Sequence, residues 1–158
     1  MKRNVMIYLA TAICICTASS ADAHHSHALF YDQCKKVTIE GRVESAEWKN
    51  PHVLIVIKMD AGPTYTVELA SLQVLTTRGV AGPAQTALIP GARVVVTGNP
   101  LRDPAQIRAS FPDYKEPSNT NIVDLVQIRR MDDSWSWAQT TPECKVAART
   151  SAKPLANS

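Results

Sequence analysis

The sequence predicts an all-β domain with one short helix, and three observations carry that prediction. Apolar runs are short and rich in β-branched residues, the pattern of strands and not of ordinary helices. Val53-Leu-Ile-Val-Ile57 is the clearest case, with four β-branched residues in five. Apolar and polar residues alternate along Thr64–Ala70, where Tyr65, Val67 and Leu69 share one parity and Thr64, Thr66 and Glu68 the other. Turn-forming pairs then punctuate these runs: Asn50-Pro51, Gly62-Pro63, Pro90-Gly91 and Asn99-Pro100.

Residues 1–23 read as a secretory signal peptide: a basic opening at Lys2-Arg3, a mostly apolar run from Val5 to Ile15, and an Ala21-Asp22-Ala23 cleavage site. The run is too short to span a bilayer comfortably, where about 20 residues are needed. A lipoprotein reading through Cys14 or Cys16 fits less well, because each follows an isoleucine and lipid-modified cysteines follow a small residue. Cleavage after Ala23 leaves 135 of 158 residues. Lys2, Arg3 and Asp22 leave with the peptide, so of 17 basic and 14 acidic residues 15 and 13 remain, a formal charge of +2. That size suits one domain, 24–139, with a single core. The near-neutral balance asks for no polyanionic partner. The expected location is the periplasm, with no membrane span in the mature chain.

The mature chain opens His24-His25-Ser26-His27, three histidines in four residues beside a free amine. Imidazole and amine nitrogens are good ligands for copper and zinc. Cleavage after Ala21 would instead place His24 third, an arrangement that holds square-planar copper(II). A solvated terminus that binds metal only weakly is the plainer reading of the same residues.

The first strand runs from Lys35 to Trp48. Its inward parity moves from Val37, Ile39 and Val43 to Ala46 and Trp48, so a β-bulge is expected near Glu44-Ser45, with Gly41 allowing a bend. Asn50-Pro51 turns the chain into the second strand, Val53–Met59, and His52 sits at its entry. The third strand, Thr64–Ala70, completes a meander. Ser71 reads as the N-cap and Gly79 as the terminator of the one helix. Val80–Pro90 reads as a loop, Ala92–Gly98 as the fourth strand, Gln106–Phe111 as a short strand followed by a long loop, and Ile122–Met131 as the last long strand. Trp135 and Trp137 share a side, and the chain from residue 140 to 158 is a polar, mostly disordered tail.

Three strands, a helix, then two more long strands, with a bulged first strand, is the plan of the OB-fold, a small Greek-key barrel. An open β-sandwich is the alternative. OB-folds often take nucleic acid, but the aromatic and basic pattern that single strands need is thin here, with 6% aromatic residues. Nucleic acid is therefore excluded as a partner at this stage.

Several elements together, His24-His25-Ser26, Thr38 to Val43, Glu47-Trp48-Lys49-Asn50-Pro51-His52, Val67-Glu68, Leu75 through Arg78-Gly79 and Pro90-Gly91, resemble a family of small exported bacterial proteins known only as a domain of unknown function. The resemblance covers roughly His24 to Asn99, and Trp-x-Asn-Pro-His with the paired histidines is its specific part. It implies an exported small β-barrel without an assigned activity. The chain departs from the pattern after Pro100 and in carrying Cys34 and Cys144.

No Gly-x-Ser-x-Gly, His-Glu-x-x-His, phosphate-binding glycine loop or, in the mature chain, Cys-x-x-Cys is present, so no enzyme is expected. Two functions are carried forward. One is a metal-binding protein, for copper or zinc, with His24 and His25 as ligands and His27 or His52 completing the site. The other is a metal-free module whose face around Trp48, Asn50, Tyr65 and Glu68 meets an envelope protein or a small ligand. Each of those four has a plainer role: packing for Trp48, capping the turn for Asn50, a solvated charge for Glu68 and sheet packing for Tyr65. Cys34 and Cys144 are expected to form a disulfide in an exported chain.

Overall fold

The computed structural model describes residues 26–140 and Cys144, with side chains from Ala28 onward. In chain order the elements are α1 (Ser26–Phe30), β1 (Val37–Glu47), β2 (Leu54–Lys58), β3 (Thr64–Glu68), α2 (Leu72–Thr77), α3 (Ala81–Ala87), β4 (Arg93–Pro100), α4 (Pro104–Ser110), β5 (Ile122–Arg130) and β6 (Ser136–Ala138). The sheet order is β3-β2-β1-β4-β5-β6, and a parallel pairing of β3 with β5 closes the first five strands into a barrel. Closure decides between the two architectures the sequence allows. The fold is the OB-type Greek-key barrel, with α2 in the expected place between the third and fourth strands.

β1 is long because it serves two neighbours. Val37–Arg42 pair with β4 and Arg42–Glu47 pair with β2. The two ladders meet at Arg42, and at Gly41 beside it a Cβ would overlap the Lys58 carbonyl and stand 2.9 Å from Ile57 Cγ2. The register then slips between Val43 and Ser45, the bulge that the parity change predicts. Inside the barrel stand Ile39, Val43, Ile55, Ile57, Val67, Val94, Val96, Leu125 and Ile128, all buried. Leu75 of α2 and Ala81, Ala84 and Ala87 of α3 join the same core.

Ser71 caps α2 as its sequence signal predicts, its Oγ accepting from Val74 N at 3.2 Å. Gly79, at φ +69°, follows the helix end where only glycine is unstrained. Three helices lie outside the expectation of a single one. Val80–Pro90 is not a loop but holds α3, whose Pro83 falls in the first turn, where a missing N–H costs nothing. Gln106–Phe111 is not a strand but lies within α4 and at its end. Asp103 is the N-cap of α4, accepting from Ala105 N at 2.8 Å, and Pro104 opens its first turn. The predicted long loop is therefore shorter and begins after Phe111. The third added helix is α1.

Trp135 and Trp137, of which Trp137 lies in β6, both pack half-buried against the core, so the shared side predicted for them holds. Cys34 and Cys144 lie at disulfide distance, with Cα atoms 4.8 Å apart. The signal-peptide reading of residues 1–23 and most of the polar tail fall outside the described residues. Among the described residues no helix is long and apolar enough to cross a membrane.

Candidate functional site

Where β3 ends and β2 begins, the outer face of the barrel gathers a tyrosine, a glutamate and a histidine. Side chains alternate along β3, so Val67 points into the core and Glu68 points out. His52 stands one residue before the buried Val53, at the mouth of the corner formed by the cis peptide Asn50-Pro51. Leu69 N donates to the Val53 carbonyl and Val53 N to the Ala70 carbonyl, which ties that corner to the end of β3. Tyr31 arrives from the other direction: it bridges Leu101, and Arg102 N donates to the Phe30 carbonyl at 2.8 Å.

The Tyr31 hydroxyl donates to Glu68 Oε2 at 2.6 Å. His52 Nδ1 lies 3.0 Å from Glu68 Oε1 and 3.3 Å from the Leu69 carbonyl. Both neighbours of Nδ1 are acceptors, so Nδ1 carries the proton, and in the neutral ring the lone pair is at Nε2. Burial, and then the charge of Glu68 and the hydrogen bond to it, hold the Tyr31 phenol far above its ordinary range, with smaller contributions from Asp124 and Tyr114. Tyr31 is thus a permanent donor to Glu68 at any physiological pH.

Asp124 of β5 is the register partner of Glu68 and is fully buried. Its Oδ1 accepts from Gln139 Nε2 at 3.3 Å, while Gln139 Oε1 accepts from Ala70 N at 3.0 Å, so one glutamine joins β5 to the end of β3. Two carboxylates therefore sit side by side on adjacent strands. Beside them opens a cavity of about 400 Å³. Tyr31, His52 and Glu68 line it together with Phe30, Leu101 and Ile122, and the segment after α4 adds Tyr114, Lys115 and Pro117. Phe30 stacks on Phe111 at 5.4 Å between ring centroids and tilts against Tyr114 at 5.9 Å.

Of the residues singled out from the sequence, the structure brings His52 and Glu68 together. Glu68 is not the solvated charge that its polar face suggests. Tyr65 lies on the opposite face of β3 from Glu68 and packs against the core. Trp48 is half-buried against the same core. Asn50 does not cap its own turn: its Oδ1 accepts from Gln73 N at 3.3 Å, at the start of α2. His24 and His25 lie outside the described residues, and so does the side chain of His27. Among the described residues no three His, Cys, Asp or Glu side chains form a metal-holding group.

Tyr31, Asp124, Gln139 and the aromatic lining are absent from the sequence reading. Asp124 did carry a signal, as the lone charge inside the apolar run Ile122-Val-Asp-Leu-Val126. Tyr31 carried none, since its partner is 37 residues away.

A closed five-stranded barrel bearing a Tyr–Glu–His chain beside an aromatic cavity defines a small protein of OB architecture. The chain belongs to the family of unknown function DUF6152, whose model matches residues 12–108, more than half of its length. No curated protein matches it in sequence.

Solved structures of similar shape include the Stn1-Ten1 complex of S. pombe, at TM-score 0.41 and 10% identity, covering 62% of this chain and 59% of that one. A mitochondrial single-stranded DNA binding protein of S. cerevisiae, Rim1, is similar at TM-score 0.39 and 14% identity over 61% and 93% of the two chains. The aspartyl tRNA synthetase of Entamoeba histolytica is similar at TM-score 0.43 and 14% identity, over 82% of this chain and 24% of the synthetase. These likenesses concern shape, not ligand. They do correct one expectation: with a single-stranded DNA binding protein among the neighbours, the exclusion of nucleic acid as a partner does not stand.

Proposed function

We propose that this is an exported envelope protein that binds a transition metal ion, copper(II) foremost, with His52 as the ligand from the barrel and His24 and His25 as ligands from the amino terminus. His27 is the reserve ligand. The observation that carries the reading is the chain Tyr31–Glu68–His52. Glu68 holds the His52 ring by Nδ1, the arrangement in which a carboxylate orients a metal-binding imidazole and presents Nε2 to the ion. The same carboxylate accepts from Tyr31, which lies seven residues after His24 and four after His27. Helix α1 takes up Ser26–Phe30 at about 1.5 Å per residue, and two further residues add at most about 3.6 Å each, so His24 has a reach of up to about 15 Å from Tyr31. Anchored there, the histidine-rich terminus starts from the site that His52 faces.

The test is copper(II) titration of protein that begins at His24, followed by calorimetry and by the paramagnetic resonance of the bound ion. One saturable site is expected, with nitrogen ligands. Extra residues ahead of His24 remove the free-amine ligand and weaken binding. His52→Ala removes a ligand, and Glu68→Gln lowers affinity by about tenfold, as loss of a carboxylate behind a metal-bound histidine does. Absence of a saturable copper or zinc site in the processed protein overturns the reading. A site indifferent to His52 reduces it to a chelate of the terminus alone.

A further inference from the structure

We propose that the cavity beside Glu68 is a binding site for a small organic cation, an ammonium group carried on an apolar body, and that it works independently of the metal reading. The walls suit the apolar part: Phe30 and Tyr114 present rings, and Leu101 and Ile122 add aliphatic surface. Those rings are held in place by one another, with Phe30 between Phe111 and Tyr114. A cavity of about 400 Å³ lies within the usual range for small-molecule sites.

The polar groups decide the sign of charge. Glu68 is four-fifths buried at its side chain and lies in register with the buried Asp124. Each Glu68 oxygen accepts one bond, from Tyr31 or from His52, and a carboxylate oxygen carries a lone pair for a second donor. Aromatic faces add attraction for a cation and none for an anion. Lys115 opposes this, but it is exposed, and a charge in water is screened far more than one held in the protein. The sheltered carboxylates outweigh it. A protonated amine can therefore donate to Glu68 while its apolar body lies against Phe30 and Tyr114. The carboxylate also gives a hydrogen-bond donor preference that a purely apolar pocket lacks.

The experiment is an amide-resonance NMR titration of the copper-free protein with benzylammonium, benzyl alcohol and benzoate, three probes of one shape and different charge. Saturable shifts at Glu68, Tyr114 and Ile122 are expected with benzylammonium, with benzyl alcohol and benzoate weaker by about tenfold or more. Glu68→Gln should erase the preference for the cation. Tyr114→Ala should weaken benzylammonium while leaving the copper titration unchanged, and Lys115→Ala should tighten it. Benzoate binding as well as or better than benzylammonium overturns the proposal, as does the absence of saturable shifts at those residues. Should Glu68→Gln fail to fold, the comparison of the three probes on the natural protein still decides. Loss of copper binding alone, with the amine preference intact, defeats only the metal reading.

Discussion

Tyr31 and Glu68, 37 residues apart in sequence, are joined by a 2.6 Å hydrogen bond on the outer face of the barrel. The tyrosine is 5% exposed, so its hydroxyl has little water to turn to, and the carboxylate is its partner. Through this bond the segment before β1 is fastened to the end of β3, beside the corner that carries His52.

Replacing Tyr31 with phenylalanine keeps the ring and removes the donor. The loss of a hydrogen bond to a charged, part-buried acceptor costs about 1.5–3 kcal/mol. Urea unfolding should show that loss with an unchanged slope. A midpoint within experimental error of the natural protein would mean that the bond contributes nothing net.

The raised Tyr31 pKa has a consequence for alkaline stability. In the unfolded chain this phenol titrates near its ordinary value of about 10, whereas in the fold it keeps its proton to higher pH. Between those two values the unfolded state binds fewer protons, so stability is fully present below pH ~10 and falls above it, by up to about 1.4 kcal/mol per pH unit for one group. Unfolding free energies measured from pH 9 to 11 should fall along that slope, and less steeply in Tyr31→Phe. Equal slopes in the two proteins would show that Tyr31 does not resist ionisation.

Much of the barrel was legible because its signals are local. The parity change at Ser45, the Ser71 cap and Gly79 each act within a few residues of themselves, and the structure places a bulge, a capped helix and its end there. The same local rules gave the wrong element at α4, where the prolines were read as interruptions although Asp103-Pro104 is a helix start. The site was half legible. His52 stood out beside its corner, but Glu68 looked like any charge on a polar face, because what shelters it comes from Tyr31 and from the segment after α4. Such long-range partners leave no periodicity behind.

Gly41→Ala tests the bend of β1. The added Cβ would overlap the Lys58 carbonyl and crowd Ile57 Cγ2, both fixed in the adjoining strand. Backbone cannot swing aside as a flexible side chain can, so overpacking here should cost about 1–3 kcal/mol or more. Gly82→Ala is the control, since nothing lies within 4 Å of that Cβ. Thermal melts should lower the midpoint for Gly41→Ala and leave Gly82→Ala close to the natural protein. Tolerance at Gly41 would mean that β1 and β2 part more easily than their register implies.

Cys34 and Cys144 enclose almost the whole barrel between them, at a sequence separation of 110. Cross-linking a loop of that length stabilises by about 4–5 kcal/mol in the chain-entropy account, acting mainly on the unfolded state. Processed protein, which has lost Cys14 and Cys16, should therefore offer no thiol to an alkylating reagent until it is reduced. Reduction should then lower the denaturant midpoint, and Cys34→Ser with Cys144→Ser should reproduce the reduced value. Intact mass with and without reductant reads the bond directly. Two alkylatable thiols in the unreduced protein would show that the pair, though adjacent, stays reduced. The segment before β1 would then be held by the Tyr31–Glu68 contact and by its backbone bonds to Pro100 and Arg102.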